Sequence, residues 1–155
     1  MARQFIDTNI LVYAFGEDEP RKRAIARDLV ESGDSMLSTQ VLSEFANVLT
    51  RRLGFAPAEV RAHVAGIAGN CEVVPLSPAI VGDALRIMER YRYGFYDSQI
   101  LAAALAGGAA TLYSEDLQQD QVIGRQLRIE SPFRLRARER TAAHRAGRRL
   151  AAARS

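Results

Sequence analysis

Two spacings of apolar residues alternate along this chain. Short apolar runs at Gln4-Phe5-Ile6, Met36-Leu37, Val73-Val74 and Ala110 to Tyr113 predict strands, with Met36-Leu37 short enough to be a mere connector. Between them, apolar positions recur at helical spacing. Val41, Leu42, Phe45, Val48 and Leu49 form one stripe, and Val60, Val64, Ile67 and Ala68 form another.

The boundaries carry their own signals. Pro20 suits the first turn of a helix running to about Glu31, with Gly33 past its end. Ser38 or Thr39 caps a helix reaching about Leu53 and stopped by Gly54. Pro57 opens another helix, and Ser77-Pro78 opens one that reaches about Tyr91. Asp97 or Ser98 starts an alanine-rich helix that Gly107-Gly108 ends, and Ile10 to Phe15 forms a turn or short helix. Leu127 to Ile129 reads as a last edge strand before Pro132-Phe133 closes the unit. Strands alternating with helices over one domain predict an α/β fold with a central, mostly parallel sheet flanked by helices.

Composition divides the chain in two. Residues 1–133 hold 13 Arg and Lys against 17 Asp and Glu, net −4, whereas residues 134–155 hold 8 Arg and 1 Glu, net +7. We therefore expect a globular domain at 1–133 and a flexible basic Arg/Ala-rich tail at 134–155. Such a tail either contacts phosphates or is a solvated extension. The single cysteine, Cys71, excludes an intrachain disulfide and fits a reducing, cytoplasmic setting. No apolar run is long enough to span a bilayer, and no leader peptide is visible.

Four acids change the picture: Asp7, Glu44, Asp97 and Asp116. Each aspartate follows an apolar or aromatic run and precedes an expected helix start. In an open parallel sheet the strand-to-helix junctions share one edge, so the three would converge there. Any one of them taken alone is better read as an N-cap. Glu44 falls at the margin of the Val41–Leu49 stripe, so it is either a half-buried acid that needs a partner or a solvated helix charge. Gathered carboxylates repel unless a cation sits among them, and a hard divalent ion prefers oxygen ligands.

The motifs Asp7-Thr8-Asn9, Ser43-Glu44, Tyr96-Asp97-Ser98 with the following Ile100 to Ala104, and Ser114-Glu115-Asp116-Leu117, in this order and spacing, resemble the PIN-domain ribonucleases. Within that family they look most like VapC-type toxins of bacterial toxin–antitoxin pairs. The resemblance runs from about Gln4 to Phe133. It implies a PIN-like fold and a Mg²⁺- or Mn²⁺-dependent endoribonuclease with Asp7, Glu44, Asp97 and Asp116 as its catalytic, metal-holding quartet. Thr8, Asn9 and Ser114 would support the quartet or serve turns and caps. It further implies an RNA substrate cut to 5′-phosphate and 3′-hydroxyl ends, a cognate antitoxin protein and a homodimer. An inactive PIN-like RNA-binding or scaffold protein is the alternative.

Arg51, Arg52, Arg90, Arg92 and Tyr93 are candidate RNA contacts, with Tyr93 expected exposed and Phe95 and Tyr96 packed. Asp120 is expected in solvent and Glu115 turned away from the site. A haloacid-dehalogenase-like phosphatase would need Asp-x-Asp and a helical or loop lysine. The chain has Asp7-Thr8-Asn9, and its one lysine is Lys22.

Overall fold

The computed structural model describes residues 3–134; the basic tail from residue 135 onward lies outside them. The strands are β1 (Gln4–Ile6), β2 (Ser35–Ser38), β3 (Glu72–Val74), β4 (Thr111–Tyr113), β5 (Val122–Ile123) and β6 (Leu127–Glu130). The helices are α1 (Thr8–Tyr13), α2 (Pro20–Glu31), α3 (Thr39–Arg51), α4 (Pro57–Asn70), α5 (Pro78–Tyr91) and α6 (Phe95–Ala106). The strands make one sheet in the order β3-β2-β1-β4-β6-β5. All neighbours pair parallel except β5, which runs antiparallel to β6.

The central strands β1, β2 and β4 are largely buried. Phe5, Ile6, Met36, Leu37, Leu112 and Ile129 are buried among helices, as expected of a parallel sheet covered on two sides. Alanine explains how α6 fits: Ser98 through Ala104 are all buried, and small side chains let the helix lie close to the sheet. At its end, a Cβ on Gly107 would meet Met36 Sδ at 2.6 Å, so that position must stay bare. Gly108 then takes φ +75° and turns the chain into β4. Ser38 and Ser77 cap α3 and α5 by accepting from the backbone N–H of Val41 and Ile80, each at 3.3 Å.

Several expectations are corrected. β6 is not an edge strand, because β5 pairs outside it and was not anticipated; a two-residue strand offers no alternation to detect. α6 begins at Phe95, two residues early, with Gly94 as its N-cap, so Asp97 lies in the first turn and caps nothing. α3 ends at Arg51 rather than Leu53. Ala68 is exposed, leaving Val60 and Ile67 as the buried anchors of α4.

The topology fixes where a site can lie. From β1 the chain moves outward to β2 and β3, then α5 and α6 carry it back across to β4 on the other side of β1. The order reverses between β1 and β4, and the crevice beyond their carboxyl ends is where open α/β sheets bind ligands.

Candidate functional site

Asp7 follows the last residue of β1 directly, and Ser114 follows the last residue of β4, so the β1–β4 crevice opens between them. Asp7 is buried and caps α1, accepting from the Thr8 backbone N–H at 2.7 Å. The fully buried Ser114 hydroxyl donates to Asp7 Oδ2 at 2.8 Å. Asn9 spans the crevice: its Nδ2 donates to Asp116 Oδ2 at 2.9 Å and to Ser114 Oγ at 3.2 Å, and its Oδ1 accepts from the Glu115 backbone N–H. Asp7, Asn9, Ser114 and Asp116 thus form one network across the two strand ends.

Glu44 enters from α3. Thr8 Oγ1 donates to its Oε2 at 2.7 Å, and Gln40, one turn earlier, donates to its Oε1 at 2.8 Å. The Gln40 amide is oriented in turn by Gln99 of α6, whose Nε2 donates to Gln40 Oε1 at 2.7 Å. Gln40 Nε2 also reaches the Tyr96 carbonyl at 3.1 Å, which ties α3 to the first turn of α6. The role of Gln40 was not anticipated, although an amide four residues before an acid on one helix is a legible pair.

The electrostatics show that the acids share a field. Burial raises the Asp7 pKa from 3.8 to about 6; the Ser114 and Thr8 hydrogen bonds oppose this, and the charges of Glu44 and Asp97 add to it. Asp97 is also raised, first by desolvation and then by Asp116 and Glu44. Asp7 thus lies in the field of Glu44 and Asp97, and Asp97 in that of Asp116 and Glu44. Asp97 and Asp116 are exposed at the rim, and Asp7 forms the floor.

Of the three aspartates expected at strand-to-helix junctions, only Asp7 occupies one. Asp97 arrives from the α5–α6 turn, and Asp116 sits in a loop that leads to β5 with no helix after it. They reach the same crevice because α6 packs beside it and the β4 loop overhangs it.

Beside this network lies a cleft of about 610 Å³ whose walls include Thr8, Asn9, Glu44, Asn47, Arg52 and Asp116. Arg52 is the one arginine among the candidate RNA contacts that borders it; Arg51, Arg90 and Arg92 are exposed elsewhere. The tyrosine expectation is reversed. Tyr93 is half-buried, its hydroxyl donating to Gln121 Oε1 and accepting from the Gln118 N–H, whereas Tyr96 is 68% exposed. Asp120 is exposed beside Arg134 at 3.4 Å. Glu115 flanks the cleft, but its carboxylate turns to Lys22 at 2.8 Å and the Tyr13 hydroxyl at 2.7 Å. His63 packs on Phe15 and Phe55, lining a separate cavity of about 280 Å³.

Among the described residues, no three His, Cys, Asp or Glu side chains stand close enough to grip one metal ion together. The donor set is nonetheless all oxygen, and the mutual repulsion of its carboxylates is what a cation would relieve. Mg²⁺ keeps several of its waters and takes only one or two carboxylates directly, so an open ring of acids suits it where a closed cage would not. No helix among the described residues is long and apolar enough to cross a membrane.

The PIN domain family model matches residues 5–124. Among solved structures, the fold is similar to VapC20 of Mycobacterium tuberculosis, described as a sarcin–ricin loop cleaving toxin, at 22% identity and TM-score 0.58 over 73% of this chain and 89% of that one. It is similar to VapBC of Salmonella typhimurium bound to DNA, at 22% identity and TM-score 0.63 over 85% and 99% of the two chains. It is also similar to VapBC2 of Rickettsia felis bound to a promoter DNA fragment, at 19% identity and TM-score 0.60 over 83% and 97%. Identities this low establish a shared fold. No curated protein sequence matches the chain.

Proposed function

This chain belongs to the PIN domain family, and on that premise we propose that it is a Mg²⁺- or Mn²⁺-dependent endoribonuclease, the VapC-type toxin of a toxin–antitoxin pair. The observation that carries this reading is the convergence of Asp7, Glu44, Asp97 and Asp116 on one crevice, where burial and neighbouring carboxylates raise Asp7 and Asp97. A purely structural set of acids would be dispersed or paired with cations, as Glu115 is with Lys22.

In this reading one or two of the four carboxylates would hold the ion directly and the others through its waters. When bound, it polarises the phosphate and generates hydroxide from water at neutral pH. The protein's own residues prepare that site. Ser114 and the Thr8 N–H aim Asp7 Oδ2 and Oδ1, and Thr8 Oγ1 and Gln40 fix both oxygens of Glu44. Asn9 restrains the loop that carries Asp116. Arg52, at the cleft wall, neutralises a phosphate of the incoming strand. No histidine is needed, because the attacking water loses its proton to solvent or a carboxylate.

The same reading extends to partners. The neighbouring VapBC structures contain an antitoxin, and we assign this chain a cognate antitoxin, a cytoplasmic setting and a homodimer. Leu85 and Met88 on α5, 53% and 41% exposed, are apolar surface that a dimer would cover. The PIN unit ends at Phe133, and the basic tail serves as an electrostatic tether for RNA.

The test is cleavage of purified transfer and ribosomal RNA in Mn²⁺, with EDTA and Asp97→Asn as controls. The expected result is site-limited cutting that both controls abolish. Cutting that persists in EDTA or in Asp97→Asn would refute the metal-nuclease reading. Absence of cutting with retained RNA binding would favour the inactive alternative.

A further inference from the structure

The most exposed of the large apolar or aromatic side chains identified on the surface is Tyr96, at 68%. Exposing an aromatic ring is unfavourable, and an isolated case needs no explanation. This one is not isolated. It sits in the first turn of α6, immediately before Asp97, whose carboxylate is in the field of Asp116 and Glu44. The ring is braced from one side by Phe95, edge to face, with centroids 5.4 Å apart and planes at 74°. Its backbone is fixed as well: the Tyr96 carbonyl accepts from Gln40 Nε2, the same group that donates to Glu44 Oε1. Gln40 is itself buried and oriented by buried Gln99. One amide therefore holds both an acid of the crevice and the backbone of the exposed ring.

Tyr96 is thus an exposed aromatic face on the residue adjoining Asp97, with its backbone anchored by the same amide that holds Glu44. Proteins use such faces to stack unpaired nucleobases, and the unpaired, splayed-out base is the form in which RNA is usually read. We infer that Tyr96 stacks on an unpaired nucleobase next to the phosphate presented to the acidic crevice, setting the register of single-stranded RNA on the protein. Gln40 is the positioning residue that couples this face to Glu44. The inference rests on the ribonuclease reading above and adds to it a base contact at Tyr96. Stacking asks only for a π-face, so the contact tolerates sequence and enforces strandedness.

The experiment compares binding of two strands of equal length in EDTA at low salt: a short oligouridylate and a ribose-phosphate strand without bases. Both present the same phosphates. Wild type, Tyr96→Phe and Tyr96→Ala are measured as full chains by fluorescence anisotropy, with thermal melting to confirm folding. The expected result is that Tyr96→Ala weakens oligouridylate binding by about 5- to 100-fold. Tyr96→Phe, which keeps the ring, should bind like wild type. On the baseless strand all three should bind alike. An equal loss on both strands, or no loss on either, would overturn the inference; the former would make Tyr96 a residue of the fold or of a protein contact. If wild type cleaves RNA in Mn²⁺ while Tyr96→Ala behaves normally, only the stacking inference fails. If wild type neither binds nor cleaves RNA, the ribonuclease reading fails with it.

Discussion

The floor and the rim of the acidic crevice are built differently. On the floor, Asp7 is buried and receives hydrogen bonds from Ser114 and the Thr8 backbone, and Glu44 beside it has a donor on each oxygen. At the rim, Asp97 and Asp116 are exposed, and of their hydrogen bonds only the one from Asn9 to Asp116 Oδ2 involves a side chain across the crevice. The floor thus has side-chain geometry set by its donors, and burial raises the pKa of its Asp7. The rim is open to solvent, although Asp97 there is also raised by desolvation and by Asp116 and Glu44. If the crevice binds a hydrated ion, as proposed, the floor would fix its place and the rim would adapt to it.

Charge removal at each level tests that contrast most severely. Asp97→Asn and Asp7→Asn should each lower RNA cleavage in Mn²⁺ by more than the roughly 10- to 100-fold typical of outer-sphere changes at metal sites. They should differ in stability. Asp7→Asn removes a charge held in a desolvated place, so in metal-free buffer at pH 7 its Tm should rise by a few degrees. Asp97→Asn should move Tm less. Equal Tm shifts for the two, by calorimetry in EDTA, would erase the distinction between floor and rim.

The outer partners of the floor come next. Thr8→Val deletes the hydroxyl that donates to Glu44 Oε2 while keeping the side-chain shape. The Mn²⁺ concentration for half-maximal cleavage should rise by about 10- to 100-fold, with Thr8→Ser restoring most of it. An unchanged Mn²⁺ requirement would mean that Glu44 needs no such alignment.

A smaller effect follows from the raised pKa of Asp7. Its folded value is near 6 against an ordinary 3.8, so between these pH values the folded state holds more protons than the unfolded state. Stability in metal-free buffer should therefore fall as pH rises from about 4 to about 6, and be flat above that. The shift of about two pH units corresponds to about 3 kcal/mol from this one group. Urea unfolding of wild type and Asp7→Asn across that range should show the slope in the former and lose it in the latter. A wild-type slope that persists in Asp7→Asn would assign it to another carboxylate.

These contrasts were unevenly legible in the sequence. The sheet core, the helix starts at Pro20, Pro57 and Pro78 and the quartet motifs could be read directly, because apolar spacing and capping residues are local signals. Asp97 was expected after a strand end, but the aromatic run Phe95-Tyr96 forms the first turn of α6, with Gly94 in front as its N-cap. The exchange of Tyr93 and Tyr96 as the exposed ring follows from the same misplacement. Tyr96 then lies in the first turn of α6 instead of against the sheet end, and Tyr93, ahead of the helix, is held by Gln121 and the Gln118 N–H. The Gln40–Gln99 link was invisible, since it joins residues far apart in sequence through tertiary packing alone.

The last prediction concerns the basic tail. The tail from residue 135 lies outside the described residues, and its basic charge is a property of the sequence. If it tethers RNA, it acts through phosphates at a distance from the carboxylates. Each phosphate it neutralises releases counterions, with a slope of roughly −0.7 in log K against log salt for a single strand. Truncation after Arg134 should weaken RNA binding at low salt and flatten that slope. It should leave three things unchanged: the cleavage rate at saturating RNA, the Mn²⁺ requirement and the Tm difference between Asp7→Asn and wild type. The truncation keeps Phe133, whose ring meets Tyr13 edge to face at 5.3 Å and closes the fold beside Lys22. A truncated protein with the full salt slope would show that the RNA-binding charge lies in the folded unit, at Arg52 and its neighbours. A truncated protein with an altered Mn²⁺ requirement would show that the tail reaches the crevice, and the separation between binding and metal chemistry would have to be abandoned.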